Sequence, residues 1–231
     1  MARQKRVVGD GLVYHVINRG NNRQAIFLDE DDFRLYLGLL YRYKVKYDFK
    51  LFAYCLMTNH VHLLIQTTAK ATVSQIMQSL TNAHTRHYHY KYKTSGHVWQ
   101  GRFKSPIVSD DQYMLKVMQY IEENPVRAGM VNNVCDYKWS SYKLNVQSKL
   151  PKLIDRSQNP VFCKLATTQE ECIRHYRKLM AIDISPKSLD EIRKSVKSGD
   201  VYISKKFQER LEQMIPRKKR RGRPRKQLLL N

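Results

Sequence analysis

The chain has 231 residues, of which 42% are hydrophobic, and this composition is typical of a globular protein with one or two domains. It carries 42 Lys and Arg against 20 Asp and Glu, which gives a net charge of +22 at pH 7. An excess of this size favours a polyanionic partner, because the positive charges otherwise repel one another. No apolar run approaches the ~18 residues of a membrane-spanning helix, so nucleic acid is the partner that the composition favours.

Cysteine spacing and the N-terminal residues bear on the cell compartment. The four cysteines form no C-x-x-C pair, which argues against a zinc knuckle or a disulfide scaffold. The basic residues at the N-terminus are not followed by the apolar stretch of a signal peptide. We therefore expect a protein of the reducing cytoplasm, with neither a membrane partner nor a small-molecule substrate.

The first third of the chain predicts a strand, a helix and a β-hairpin, in that order. A β-branched and aromatic run at 12–17 indicates a strand that ends in a turn. Four acids at 29–32 precede apolar positions at helical spacing, as at the start of a helix. The apolar runs 51–57 and 61–65 are joined by Thr58-Asn59, which indicates a hairpin.

Two further helices and one strand follow the hairpin. Apolar positions from Val73 to His87 recur at helical spacing, and a strand lies within 98–108. A third helix covers 110–124 and stops at Pro125. The order β-α-β-β-α-β-α predicts an α+β fold built on an antiparallel sheet with packed helices.

The chain divides into three predicted parts. We expect an α+β domain over 1–150, a small helical extension over 151–215 and a disordered basic tail over 216–231. In the extension, Ser188 and Glu191 fit a capping box at the start of a helix. One face of a later helix is predicted from the spacing of Phe207, Leu211 and Met214. The tail holds eight Lys and Arg, and no acid, between Arg217 and Lys226.

The stretch 59–65 carries the clearest indication of a chemical role. Side chains alternate along a strand, so His60 and His62 point to one face while Val61 points to the other. Two imidazoles on one face are able to bind a single divalent ion. A half-buried strand that contains two histidines by chance explains the same pattern, so the pair alone is a weak signal.

Tyr120 and Asn124 form a second candidate group. Residues four apart lie on the same face of a helix, so the two side chains project together. The Asn124 carbonyl oxygen could complete a metal site of two nitrogens and one oxygen beside a phenol that is free to attack. Lys116, one turn earlier, could favour the phenolate or contact a phosphate. Packing is the alternative for Tyr120, because the chain has 15 tyrosines.

Four blocks of sequence, in order along the chain, resemble the REP-associated tyrosine transposases, which are single-tyrosine members of the HUH endonuclease superfamily. The blocks are residues 14–21 (YHVINRGN), 53–64 (AYCLMTNHVHLL), 96–105 (GHVWQGRFKS) and 120–129 (YIEENPVRAG). The matching region covers roughly residues 7–145 and ends in Trp139-Ser140-Ser141-Tyr142. Together these blocks are far more specific than the histidine pair alone.

The resemblance implies a ferredoxin-like core that binds and cleaves single-stranded DNA, often beside a hairpin in an extragenic repeat. It implies that His60, His62 and Asn124 bind a metal ion and that Tyr120 is the nucleophile. The implied cofactor is Mg²⁺ or Mn²⁺, and the implied intermediate is a 5′-phosphotyrosine. The resemblance is compatible with a monomer or a homodimer, and it places the protein at the bacterial nucleoid.

Basic and polar side chains near the candidate site, most of them inside the matched blocks, are the predicted DNA contacts. They are Arg19, Asn21, Arg23, Arg102, Lys104, Lys116 and Arg127. A solvated surface charge is the alternative for each basic residue. Trp99 and Phe103 could stack on unpaired bases, although core packing explains them equally well. His84 and His87 continue an apolar helical stripe, so we expect them at the edge of the core. His15, on the first strand, could neighbour the candidate site, and it carries no predicted role.

The tail contains Arg-Gly-Arg-Pro at 221–224, which resembles the core of an AT-hook. An extended Arg-Pro segment fits a narrow A·T minor groove, which makes Arg221, Arg223 and Arg225 candidate DNA contacts. A polycationic tail without sequence preference is the alternative.

Two functions of different classes are open at this point. One is a transposase, that is, a metal-dependent single-stranded DNA endonuclease and strand transferase with Tyr120 as covalent nucleophile. The other is a catalytically idle DNA-binding protein, such as a repressor or a repeat-organising factor. The joint presence of the histidine pair, Tyr120 and Asn124 favours the transposase, because a binding protein needs none of them. A relaxase or replication initiator is disfavoured, since no Gly-rich phosphate loop of a helicase is present.

Overall fold

The computed structural model describes residues 6–149 and 152–198, and a three-stranded antiparallel sheet lies at its centre. The strands are β1 (Val13–Arg19), β2 (Lys50–Met57) and β3 (His60–Gln66), in the spatial order β1-β3-β2. The predicted hairpin is confirmed, because Met57 pairs with His60 across the two-residue turn. The α+β class with an antiparallel sheet and packed helices is confirmed as well.

Eight α-helices surround the sheet in the described part of the chain. They are α1 (Glu30–Tyr47), α2 (Val73–Tyr92), α3 (Asp111–Glu122), α4 (Asn124–Arg127), α5 (Tyr142–Val146), α6 (Pro160–Cys163), α7 (Gln169–Met180) and α8 (Pro186–Ser198). Among these residues, no helix combines the length and the apolar character that crossing a membrane requires.

Helices α1 and α2 pack on one face of the sheet. Both begin at a reciprocal capping box, formed by Asp29 with Asp32 in α1 and by Thr72 with Gln75 in α2. Each box satisfies two backbone amides that a helix start leaves without partners. The apolar stripes of both helices are buried with alternate residues of β3, such as Leu63, in one core cluster.

The segment 98–108 runs along the outer edge of β1 without forming a regular strand. It touches β1 through isolated antiparallel bridges, including Ile17 with Lys104 and Tyr14 with Ile107. The prediction of a strand here is therefore wrong in detail, because Pro106 has no N–H for a continuous ladder and Gly101 bends the backbone at φ 59°. The segment still occupies the fourth position of a ferredoxin-like βαββαβ layout.

The predicted helix over 110–124 is broken before its end. Helix α3 ends at Glu122, and α4 begins at Asn124 with Pro125 in its first turn. Proline is tolerated there because the first amides of a helix have no intrahelical partner. Tyr120 and Asn124 therefore lie on two consecutive helices rather than on one.

The described part of the C-terminal extension packs on the opposite face of the sheet. Phe162, Tyr176 and Ile192, from α6, α7 and α8, share a buried cluster with β2 and α3. The predicted helix start at Ser188 is wrong, since Ser188 lies inside α8 and its amide donates to Ser185 Oγ at 3.3 Å. The predictions on Phe207, Leu211, Met214 and the tail concern residues outside the described part.

Candidate nucleic-acid cleavage site

A single pocket of about 640 Å³ contains the side chains that the sequence pattern singled out as a reactive group. His60, His62, Tyr120 and Asn124 all line it. Four predicted DNA contacts line the same pocket, namely Arg19, Arg23, Arg102 and Lys104. The residues come from β1, β3, α3, α4 and two loops, so the folded chain rather than any one segment builds this site.

Strand β3 presents the two histidines to the face on which α3 packs. Its alternation buries Val61 and Leu63 with α1 and α2, while Leu64 is buried with α3. His60 and His62 share the face of Leu64, because they lie four and two residues before it, respectively. The expectation that both imidazoles point to one face is therefore confirmed.

Burial makes both imidazoles poor bases. Desolvation lowers the pKa of His60 to about 4, with a smaller contribution from the nearby Arg19. Desolvation also lowers the pKa of His62 well below its ordinary value, and the neighbouring His15, His60 and Arg127 lower it further. Both rings are therefore neutral at physiological pH, and a neutral imidazole is the form that binds a metal ion.

The hydrogen bonds of the predicted ligands fit a divalent ion. His60 Nδ1 lies 2.6 Å from Asn59 Oδ1, an acceptor, so the ring carries its proton there and keeps a lone pair on Nε2. Asn124 Nδ2 donates to the carbonyl oxygen of Tyr120 at 2.9 Å, which leaves Oδ1 as a ligand. Among the described residues, no group of three or more His, Cys, Asp or Glu is able to hold a metal. The predicted donor set consists of two histidines and one amide oxygen.

Tyr120 stands at the edge of the histidine group. Its ring meets those of His62 and His15 edge to face, with centroids 5.9 Å apart in both pairs. The guanidinium carbon of Arg127 also lies over this ring, 4.5 Å from its centroid. The phenol therefore borders the pocket beside two histidine rings and a cation.

The basic wall of the pocket is exposed and contains no acid among the described residues that line it. Arg19 ends β1, and Arg23 lies in the following 3-10 turn with φ 61°. Gly20 makes this sharp turn possible, since a Cβ there would overlap the carbonyl oxygen of Gln24. Arg19 Nε donates to Gln100 Oε1 at 2.9 Å, which links the turn to the 98–108 segment. This wall is suited to phosphate oxygens.

Several predicted contacts lie elsewhere. Asn21 lines a separate groove of about 500 Å³ beside α2, and Lys116 lies exposed on α3 and is not a lining residue of the reactive pocket. Arg127 contacts Tyr120 and Glu123 instead of facing the pocket. The tail residues Arg221, Arg223 and Arg225 are outside the described part. Trp99 and Phe103 pack against the core, as the alternative interpretation held.

The fold brings further residues to the site, and the sequence pattern assigned none of them a role. His15 lies directly behind His62, and Val196 of α8 reaches the pocket from the C-terminal extension. The carbonyl oxygen of Lys197 accepts a hydrogen bond from Lys104 Nζ at 3.0 Å. The sequence signal for His15 was its place on the first strand, which suggested a position near the site. The pairing of Ile17 with His62 sets that position.

Comparisons with known proteins all give transposases. Residues 10–124 match the family model described as IS200-like transposase. A curated Haemophilus influenzae protein described as a REP-associated tyrosine transposase is 30% identical over 115 residues, which are 45% of this chain and 65% of that protein. The match thus spans just under two thirds of the relative's length. A solved structure of a REP-associated tyrosine transposase bound to a REP hairpin has a TM-score of 0.54 at 18% identity, over 69% of this chain and 97% of that chain, and shares the fold.

Proposed function

Residues 10–124 match the IS200-like transposase family model, and from this premise we propose that the chain cleaves and rejoins single-stranded DNA beside hairpin-forming repeats, through a covalent bond to Tyr120. The observation that carries the proposal is the pocket in which Tyr120 meets His60, His62 and Asn124 under a wall of exposed cations. A REP hairpin in the related solved structure supports hairpin DNA as the partner.

The basic wall binds and orients the DNA strand. Arg19, Arg23, Arg102 and Lys104 attract the backbone, and together they place a phosphate in the pocket next to the phenol. Holding the two reacting groups in this way converts a bimolecular reaction into one within the complex. These contacts position the backbone and carry no sequence information by themselves.

The reaction exchanges one phosphate ester for another. Tyr120 Oη forms a bond to phosphorus, the bond from phosphorus to the 3′ oxygen breaks, and the phenol proton is lost while the leaving oxygen gains one. The products are a 5′-phosphotyrosine and a free 3′-hydroxyl. A second 3′-hydroxyl reverses the attack and joins strands without ATP, because the ester energy is retained in the phosphotyrosine.

His60, His62 and Asn124 would hold Mg²⁺ or Mn²⁺. Such an ion supplies polarisation of the scissile phosphate and compensates the charge that develops on it. The neutral imidazoles and the Asn124 amide provide donors without adding negative charge, so the phosphate oxygens are not repelled by their own site.

The proposal is tested by a denaturing gel of the purified protein with a labelled single-stranded hairpin oligonucleotide taken from beside its own gene. We expect a protein-linked band that requires Mg²⁺ or Mn²⁺ and disappears in Tyr120→Phe, while hairpin binding is nearly unchanged. Tyr113→Phe, on the same helix, is the matched control and should keep the band. A band that persists in Tyr120→Phe excludes Tyr120 as nucleophile. Tight binding without cleavage in either metal, on several flanking sequences, would instead identify a catalytically idle DNA-binding protein.

A further inference from the structure

His15 lies buried directly behind the candidate metal ligand His62. Its side chain is only 2% exposed, and its Nε2 lies 2.9 Å from Nδ1 of His62. The two rings are stacked, with centroids 5.2 Å apart and planes inclined by 30°. His62 lines the pocket, whereas His15 does not, so the Nδ1 atom of His62 faces the protein interior.

The backbone of the sheet fixes this contact. Ile17 of β1 pairs directly with His62 of β3, and His15 precedes Ile17 by two residues. His15 and His62 are therefore diagonal neighbours on one face, a position from which long side chains reach each other across antiparallel strands. Neither side chain needs a loop to approach the other.

The hydrogen bond between the His15 and His62 rings has a consequence for metal binding. A neutral imidazole carries one proton, so a ring that binds an ion through Nε2 must carry its proton on Nδ1. The atom that faces Nδ1 of His62 is the ring nitrogen of His15, which accepts when it is unprotonated. Asn59 Oδ1 has the same relation to Nδ1 of His60.

We propose that His15 is a positioning residue, which holds His62 as the Nδ1–H tautomer and leaves its Nε2 lone pair for a divalent ion. This inference rests on the proposed function, because it takes His62 as a ligand. Acceptors behind metal-bound histidines orient the ring and raise its basicity. The His15 ring also meets Tyr120 edge to face, so one buried side chain orients both the ligand and the nucleophile.

Nuclear magnetic resonance of protein labelled with ¹⁵N-histidine measures the tautomer directly. We expect His62 as Nδ1–H in the wild-type protein and in His15→Gln, whose side-chain oxygen replaces the acceptor. In His15→Leu, which has no acceptor, we expect a mixture of the two tautomers. A wild-type protein in which His62 carries its proton on Nε2 overturns the inference, whatever the variants do.

Calorimetric titration with Mn²⁺ alone measures the consequence for binding. We expect His15→Leu to bind Mn²⁺ about 10–100-fold more weakly than wild type, and His15→Gln to stay close to wild type. His84→Gln is the matched control, because His84 is a buried histidine on the other face of the sheet, and it should bind as wild type. Equal Mn²⁺ affinity in His15→Leu, in a protein that melts cooperatively, overturns the inference.

The two proposals fail in different ways. If wild-type protein binds Mn²⁺ no better than His60→Ala, the metal site of the proposed function is wrong. The resonance measurement of the His62 tautomer still decides in that case whether His15 orients the His62 ring. If wild type binds Mn²⁺ in the pocket and the His15 series shows no change in tautomer or affinity, only the role of His15 is wrong.

Discussion

At the scale of single residues, contacts with Arg127 hold Tyr120 in place. Its guanidinium stacks on the Tyr120 ring, donates to the carbonyl oxygen of Tyr120 and pairs with Glu123 at 2.7 Å. Burial lowers the pKa of Arg127, while Glu123 and Tyr120 oppose this effect. The sequence pattern predicted a DNA contact here, and these three contacts favour a side chain that orients Tyr120, the proposed nucleophile.

Arg127→Lys should slow cleavage by up to about 100-fold and leave hairpin binding almost unchanged. Lysine keeps the charge but lacks the planar fork that holds the ring and the carbonyl together, and a displacement of about 1 Å is enough for such a loss. Single-turnover cleavage and equilibrium binding are to be measured over a range of salt concentrations. The comparison variant is Arg102→Gln, which should weaken binding and reduce the salt slope by about 0.7. Arg127→Gln, which removes the charge, decides between the two roles: a salt slope that falls by about 0.7, as in Arg102→Gln, would make Arg127 a DNA contact after all.

At the scale of elements, hydrogen bonds to the Glu122 side chain connect α3 to α5 and α7. Its carboxylate is fully buried and accepts hydrogen bonds from Ser141 Oγ, Asn145 Nδ2 and Tyr176 Oη, at 2.5, 2.7 and 2.8 Å. These partners lie just before α5, in α5 and in α7. Burial raises the pKa of Glu122 to about 7, although the three hydrogen bonds lower it. The helix that carries Tyr120 is therefore anchored by a carboxyl group that titrates near neutrality.

Glu122→Gln should remove part of the pH dependence of stability. In the unfolded chain this carboxyl ionises near pH 4.5, and in the folded protein near pH 7. The folded state thus binds the extra proton between these values, so the free energy of unfolding falls as the pH rises through this window, by up to about 3 kcal/mol. Buried histidines act in the opposite direction, and the difference between variant and wild type isolates Glu122.

Urea unfolding at a series of pH values from 4.5 to 8 measures this difference. Glu170→Gln, which changes an exposed carboxylate on α7, is the matched control and should follow wild type throughout. If the curves for Glu122→Gln and wild type are parallel, the carboxyl group does not take up a proton in that window.

At the scale of the whole molecule, charge and layering together define the side proposed to bind DNA. Helices α1 and α2 cover one face of the sheet, while α3 and the C-terminal helices cover the other. The pocket opens where α8, through Val196, and the 98–108 segment meet the end of the sheet. The net charge of +22 adds a long-range attraction for DNA to the local contacts of the basic wall.

Deleting residues 216–231 should weaken DNA binding and flatten its dependence on salt. The deleted segment carries eight Lys and Arg between Arg217 and Lys226, so the slope for single-stranded DNA falls by up to about 6 if each neutralises a phosphate. Binding titrations between about 50 and 200 mM salt measure the slope of the binding constant against salt concentration. A tail of the same composition with Gly222 and Pro224 moved away from the arginines separates an AT-hook from a plain polycation. An unchanged slope after deletion would show that the tail does not contact DNA.

Much of the local structure was predictable because it depends on near neighbours in the chain. The alternation of β3 sets His60 and His62 on one face, the Thr58-Asn59 turn closes the hairpin, and the acids before α1 cap its start. Each of these features follows from backbone geometry over a few residues. The α+β class followed from their order.

Contacts between distant segments were not predictable in the same way. The 98–108 segment follows β1 only at isolated bridges. The hydrogen bond between His15 and His62, which lie 47 residues apart in the sequence, depends on the register of β1 against β3. Arg127 turns onto Tyr120 because α3 ends at Glu122 and a new helix begins. Sequence periodicity carries no information on register or on the angle between helices.

The proposed reactive residues, Tyr120 with His60, His62 and Asn124, were predicted from the sequence, because they stand in blocks that resemble a known family and each has a suitable functional group at a suitable spacing. Their assembly into one pocket, the basic wall around it, and the supporting places of His15, Arg127 and Glu122 were decided only by the tertiary structure. The physical reason is that burial, hydrogen bonding and tautomer depend on which atoms from distant segments come within about 3 Å of one another.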